Sequence, residues 1–288
     1  MKLNKNALLA ACLATIAVAG GARAGELVVD KFASAALGRD VSFTAYLPDG
    51  YTASASRFPV TYLLHGAGGN EYEWARKGGA VETLDGLIKR GQMRATVAIM
   101  PTFGPASWWA DGVSEKAETA LMKELIPYVE SRFKVATERS ARAIGGLSMG
   151  GYGALNLALK HPDRFCAAAV ISPAIYDPLP PETSAARRTP QFVRDGQFDA
   201  QTWKALNYPA HLDAYKQGSA RVPMWIVSGD HDFLGIAMMS TQLYWRMFQI
   251  QPKQVELRIV DGDHEWLTFR DALPAALQYV DAQCVRSQ

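Results

Sequence analysis

Residues 141–155 read ARAIGGLSMGGYGAL. The first seven, Ala141–Leu147, form an apolar run of strand length, and Gly151–Leu159 continues as a helix. Between them, Gly146-Leu147-Ser148-Met149-Gly150 makes a strand-to-helix corner. A serine held on so sharp a turn stands clear of the backbone, and glycines on either side avoid collisions across the turn. The helix starting beneath it offers free N–H groups and the positive end of its dipole to negative charge developing there. Ser148 is therefore the candidate nucleophile, and the corner implies a sheet whose strands feed helices.

The rest of the chain carries the same alternation. Glu26–Phe32 and Val41–Leu47 are short β-rich runs, and Phe58–Leu64, Val97–Met100, Cys166–Ile171, Met224–Val227 and Val255–Ile259 are further strand candidates. Leu121, Leu125, Ile126, Val129 and Phe133 fall on one stripe, which predicts a helix over Glu118–Phe133; Ala272–Val280 reads as a closing helix. Short apolar strands between helices predict an α/β fold, a mostly parallel sheet covered on both faces. Residues 173–220 depart from the pattern. They are proline-rich at first, then polar with Phe192, Phe198 and Trp203, and read as an excursion that forms a cap or pocket wall. No internal repeat or low-complexity linker divides residues 25–288, which read as one catalytic domain.

A serine hydroxyl needs a base. In a parallel α/β sheet ligands sit outside the carboxyl ends of the strands, so the base belongs in a loop past a late strand. His264, in Asp261-Gly262-Asp263-His264-Glu265-Trp266, has that place. The acid that orients it should leave an earlier strand. Gly229-Asp230-His231-Asp232-Phe233 follows Met224–Val227, and both Asp232 and Asp230 qualify, with Asp232 favoured. The order Ser148, Asp232, His264 is the serine–acid–histidine order of the α/β-hydrolase fold. An oxyanion then needs fixed donors. The N–H of Met149, directly after the nucleophile, is one; the N–H of Ala67, in the glycine-rich turn His65-Gly66-Ala67-Gly68-Gly69 after Phe58–Leu64, is the other.

Composition narrows the rest. The 288 residues are 49% hydrophobic and 20% charged, which excludes a disordered chain. Residues 1–24, MKLNKNALLAACLATIAVAGGARA, place two lysines before an apolar run that ends in Ala22-Arg23-Ala24, the pattern of a secretory leader cut after Ala24. Leu9-Ala10-Ala11-Cys12 also resembles a lipoprotein site, though it leaves too short an apolar segment. Export to the periplasm or medium is expected. Beyond the leader stand 27 basic and 28 acidic residues, so no excess positive charge is available to hold nucleic acid. No later stretch is apolar and long enough to span a bilayer. Cys166 and Cys284 either pair, as an exported chain permits, or remain separate thiols. Asp230, His231, Asp232, Asp261, Asp263, His264 and Glu265 include possible metal ligands, but no His-Glu-x-x-His is present. No catalytic metal is expected, and any surface calcium would be structural.

The chain resembles the esterase D-type branch of the α/β-hydrolases. The matching stretches are Tyr62-Leu63-Leu64-His65-Gly66 with Trp74, Met100-Pro101 with Ser107-Trp108, Glu118-Thr119 with Glu124-Leu125-Ile126-Pro127, and Gly145–Leu155. His161-Pro162-Asp163-Arg164-Phe165, Gly229–Phe233 and Gly262-Asp263-His264-Glu265-Trp266 complete them. The resemblance implies a cofactor-free serine hydrolase with Ser148, Asp232 and His264 as triad and the Met149 and Ala67 amides as oxyanion donors. It favours esters with short-chain or aryl, feruloyl-like, acyl groups, free or saccharide-linked. An acyltransferase of the mycolyltransferase type and a thioesterase like S-formylglutathione hydrolase are the alternatives. Leu147 stands where the formylglutathione enzymes commonly carry His, and the mycolyltransferases usually lack the Gly150-Gly151-Tyr152 run. Trp74, Trp108, Trp109 and Trp203, with Phe192, are candidate pocket walls, since aromatic faces suit flat or sugar-like groups.

Overall fold

A computed structural model describes residues 24–286. The expected leader, apart from Ala24, lies outside the described residues. Eight strands form the main sheet: β1 (Glu26–Ser34), β2 (Arg39–Leu47), β3 (Val60–Leu64), β4 (Val97–Pro101), β5 (Arg142–Leu147), β6 (Ala167–Ile171), β9 (Met224–Gly229) and β10 (Val255–Val260). A separate two-residue hairpin is made of β7 (Val193–Arg194) and β8 (Gln197–Phe198). The sheet order is β1-β2-β4-β3-β5-β6-β9-β10. The pairs β1–β2 and β2–β4 are antiparallel, and every other pair is parallel. This is the α/β-hydrolase topology that the order of the candidate residues implied.

The central strands are buried along their whole length, because helices cover both faces. Alternation divides their side chains between two cores. Tyr62, Leu64, Ile144, Val170 and Ile226 face one core with α5 (Met149–Lys160) and α8 (Ile236–Ile250). Leu63, Ala143, Leu147, Ala169, Trp225 and Val227 face the other, with α2 (Ala80–Lys89) and α9 (Trp266–Arg286). Burial of each large aliphatic side chain is worth about 1.5–3 kcal/mol, so β5 and α5 are fixed from both sides. The corner between them is thus held by two buried elements.

Several elements differ from the sequence expectation. The expected helix over Glu118–Phe133 is interrupted. It consists of α3 (Ala117–Thr119), a wider π turn over Ala120–Leu125, and α4 (Ile126–Arg132). Pro127 explains the wide turn: it has no N–H to donate and its ring crowds the preceding turn, while the Ile126 N–H reaches back to the Leu121 carbonyl. Phe133 leaves the helix in extended backbone. The closing helix is longer than Ala272–Val280, with Pro274 inside it. Helices α2 and α8 are among the elements additional to the expected set. The buried stripe of α8, Ile236, Ser240, Leu243 and Met247, is helical in period but obscured by exposed Met238, Trp245 and Phe248. Between β6 and β9 the chain forms short 3-10 turns, the β7–β8 hairpin, α6 (Ala200–Leu206) and α7 (Leu212–Gln217). Remaining from the described helices is α1 (Glu73–Arg76), beside the turn after β3. Cys166, just before β6, is disulfide-bonded to Cys284 near the end of α9, with Cα atoms 5.0 Å apart. No described helix is long and apolar enough to cross a membrane.

Candidate active site

Ser148 sits between β5 and α5 with φ 54° and ψ −117°, a conformation costly for a side-chain-bearing residue. The surroundings impose it. The Ser148 N–H donates to the Ile171 carbonyl at 2.9 Å, and its own carbonyl accepts from Tyr152 and Ala174. Two glycines permit the turn. A Cβ at Gly146 would lie 2.3 Å from the Gly150 carbonyl oxygen, and one at Gly150 would lie 2.2 Å from that of Leu64. Neither backbone position can yield, so the corner accepts only hydrogen there.

The base and acid reach the serine from the exits of β10 and β9. His264 Nε2 lies 2.9 Å from Ser148 Oγ, and His264 Nδ1 lies 2.7 Å from Asp232 Oδ2. The Asp232 side chain is fully buried, and its other oxygen accepts the Leu234 N–H at 3.0 Å. Ser148, His264 and Asp232 form a serine-hydrolase triad. Asp230, the alternative acid, is half exposed and does other work: its Oδ1 accepts the Gly262 N–H at 3.1 Å. Asp263 braces the same two loops, its Oδ1 accepting the N–H groups of His264 at 2.6 Å and Phe233 at 3.3 Å. The sequence reading gave Asp263 no such role, because a carboxylate that holds backbone leaves no spacing signature. Phe269 meets the His264 ring edge-on at 5.2 Å.

The turn after β3 stands across from the helix. The Gly68 N–H donates to Pro105 and the Gly69 N–H to Gly66, whereas Ala67 between them donates to no protein group among the described residues. Met149 is the first residue of α5, where the helix supplies no acceptor for its N–H. Both residues line one cavity with Ser148 and His264. His65 is buried beneath the turn. Its Nδ1 lies 2.8 Å from the Gly66 carbonyl oxygen, and burial lowers its pKa, so the neutral ring donates from Nδ1.

The cavity is about 470 Å³ and its walls correct part of the expected set. Of the aromatic candidates only Trp108 lines it. Trp74, Trp109, Trp203 and Phe192 are almost completely buried. The three tryptophans among them satisfy their indole N–H groups inside the protein, as a buried tryptophan must. Trp74 donates to the Leu64 carbonyl at 3.1 Å and Trp109 to that of His65 at 3.2 Å, so both brace the turn from behind. Trp203 donates to the Tyr176 carbonyl at 3.1 Å and packs 4.9 Å from Phe192. The aromatic walls are instead Tyr176, Trp266 and Phe269, with Leu234 and Ala186. Trp266 and Phe269 follow the base by two and five residues, a proximity that could have marked them. Burial raises the Tyr176 phenol pKa, a hydrogen bond with Ser184 offsets this in part, and the Asp232 charge reinforces it; the phenol stays a donor. Away from the triad, ligand atoms of exposed Asp230, His231 and Asp261 lie within 4.8 Å of one another, a set able to hold a cation at the surface.

Residues 34–280 match a family model described as "Putative esterase". A Xylanibacter ruminicola endo-1,4-beta-xylanase/feruloyl esterase is 32% identical over 73% of the chain. The chain spans 30% of that protein's length, and the same share of a matching Mycobacterium tuberculosis esterase. An acetyl esterase from Caldicellulosiruptor saccharolyticus is 27% identical, with 76% of this chain and 82% of that one covered. Among solved structures, a ferulic acid esterase superimposes with a TM-score of 0.77 at 26% identity, over 90% of this chain and 98% of the other.

Proposed function

The chain belongs to this esterase family, and on that premise we propose that it is an exported serine carboxylic ester hydrolase for short-chain or aryl acyl esters. The observation that carries the reading is the unbroken Ser148–His264–Asp232 chain, at 2.9 and 2.7 Å, opening into the cavity. Neutral His264 takes the Ser148 proton at Nε2 as Oγ attacks the ester carbonyl, and buried Asp232 stabilises the imidazolium and fixes its orientation. Charge then develops on the carbonyl oxygen, which the N–H groups of Ala67 and Met149 receive. Both are backbone donors on braced elements, so they need no rearrangement as the charge forms. His264 next gives its proton to the leaving alkoxide. Water repeats the sequence on the acyl-enzyme and releases the acid.

Three features support the substrate side. The cavity is about 470 Å³, and Trp108, Tyr176, Trp266 and Phe269 supply rigid rings to its wall. Tyr176, Ser184, Ala186 and Arg188 come from the 173–220 segment, which supports reading it as a cap and pocket wall. The named activities of the relatives, on feruloyl and acetyl esters, fall within the same class. Export accords with the leader pattern of residues 1–24 and with the Cys166–Cys284 bridge, which persists in oxidising compartments. A series of para-nitrophenyl esters with acyl chains of roughly two to sixteen carbons, with methyl ferulate in parallel, tests the reading. Each methylene that fits adds about 0.8 kcal/mol of binding. The specificity constant should rise over the first few carbons and then fall. A constant still climbing beyond about ten carbons overturns the compact-pocket reading.

A further inference from the structure

The charged groups of the cavity are not equivalent. Lys77 and Glu73 line it as an ion pair at 3.0 Å and cancel one another. Arg188 lines it as an exposed side chain with no hydrogen bond, ion pair or ring contact among the described residues. Its neighbour Arg187 contrasts with it. Arg187 donates to the Pro180 carbonyl at 2.8 Å, pairs with Glu182 at 3.0 Å and stacks 4.8 Å from the Phe198 ring centre. Two adjacent arginines therefore have different duties: one holds the segment together, and the other has its guanidinium free.

The backbone beneath Arg188 is fixed. Ser184 caps the 3-10 turn Ala185–Arg188 by accepting the Ala186 N–H, and Ala186 is buried. Thr189 donates to the Ala185 carbonyl at 3.0 Å and accepts the Trp108 indole N–H at 3.2 Å. Such anchoring reduces the ordering cost of a contact made by the arginine, since only the side chain must be immobilised. The cavity carboxylate without an ion-pair partner among the described residues, Glu265, comes from a different loop, directly after His264. A substrate anion is thus attracted to the 183–188 segment and repelled from the 263–265 loop.

We propose that Arg188 is a specificity-determining residue that pairs with a carboxylate on the substrate, so that this enzyme prefers esters bearing a negative charge beyond the reacting group. The inference rests on the ester-hydrolase reading. A guanidinium presents a planar fork that matches a carboxylate, which sets it apart from a lysine ammonium. The contact is made before and during reaction alike, so its effect falls on KM more than on kcat.

The test uses the full chain and two matched pairs of esters. Para-acetoxybenzoate against para-acetoxybenzamide places the charge on the alcohol side. Para-nitrophenyl hemiglutarate against para-nitrophenyl valerate places it on the acyl side. In one pair the ratio of kcat/KM for the anionic to the neutral ester should fall about tenfold in Arg188→Gln, the loss expected for one charged hydrogen-bonded contact. It should fall further in Arg188→Glu and recover in part in Arg188→Lys, with the anionic ester of the responding pair losing more than its neutral partner. The responding pair identifies which side of the substrate carries the anion. Ratios unchanged in both pairs by Arg188→Gln and Arg188→Glu overturn the proposal. A parent chain that leaves all four esters intact overturns the ester-hydrolase reading, and this inference with it.

Discussion

Replacing Asp232 with Asn tests the triad by inverting one proton position. Asp232 accepts at both oxygens, from the Leu234 N–H at 3.0 Å and from His264 Nδ1 at 2.7 Å. The Leu234 N–H still needs an acceptor in the variant, so the Asn carbonyl takes that side and its NH2 group turns toward His264. Nδ1 must then accept, which puts the imidazole proton on Nε2, facing Ser148 Oγ. A nitrogen already carrying a proton cannot take another from the serine. The alternative rotamer sets two donors against each other in a fully buried position. A wrong tautomer costs roughly 10⁴ in the acylation rate, or about 5.5 kcal/mol. Asp230→Asn keeps a carbonyl for the Gly262 N–H and should cost under about threefold. The burst of para-nitrophenolate from para-nitrophenyl acetate reads acylation directly. If Asp232→Asn acylates within tenfold of the parent, or Asp230→Asn falls as far, the assignment of the acid is wrong.

Trp109→Phe removes the donor to the His65 carbonyl and frees the peptide that carries Gly66. The expected result is a fall in kcat of roughly fivefold, equivalent to about 1 kcal/mol, with KM nearly unchanged; an unchanged kcat with a raised KM would assign Trp109 to substrate contact instead. Stability should also follow pH with a definite sign. Burial lowers the pKa values of His65 and His211, so below about pH 6.5 the unfolded chain binds protons that the folded chain does not. Their contribution is complete above that pH and is lost as pH falls toward the folded values. Melting temperature should therefore drop between pH 7 and pH 5, less steeply in His65→Asn; identical slopes in variant and parent refute the assignment.

The sequence made the centre of the molecule legible because its physics is local. An apolar run such as Ala141–Leu147 followed by glycine-flanked Ser148 has few other uses, and strand exits leave few places for His264 and Asp232. The cavity walls were less legible. Seven tryptophans look alike in sequence, and which of them reach a pocket depends on how each packs and where its N–H finds an acceptor. Trp74 donates to the last carbonyl of β3 and Trp109 to the turn that follows, and both lie inward; Trp266 meets Trp74 and Phe269 edge-on and stays at the cavity. Helix α8 leaves a weak signal because exposed Met238 and Trp245 fill polar positions of its period. In sequence Asp230 reads as an alternative triad acid and Asp263 as a possible metal ligand; their work on backbone N–H groups depends on how the two loops meet in the fold.

The bridge between Cys166 and Cys284 closes a loop of the chain that contains all of the 173–220 segment, together with Asp232 and His264, whereas Ser148 lies outside it. A protease that cuts the exposed stretch around Pro181–Thr183 therefore divides the polypeptide without dividing the molecule. The nucleophile stays with the amino-terminal fragment and the base and acid with the carboxyl-terminal one, tied through β6 and α9. Such a nicked protein migrates as one band until it is reduced and as two afterwards, so its integrity depends on the redox state of its surroundings as well as on its resistance to cleavage.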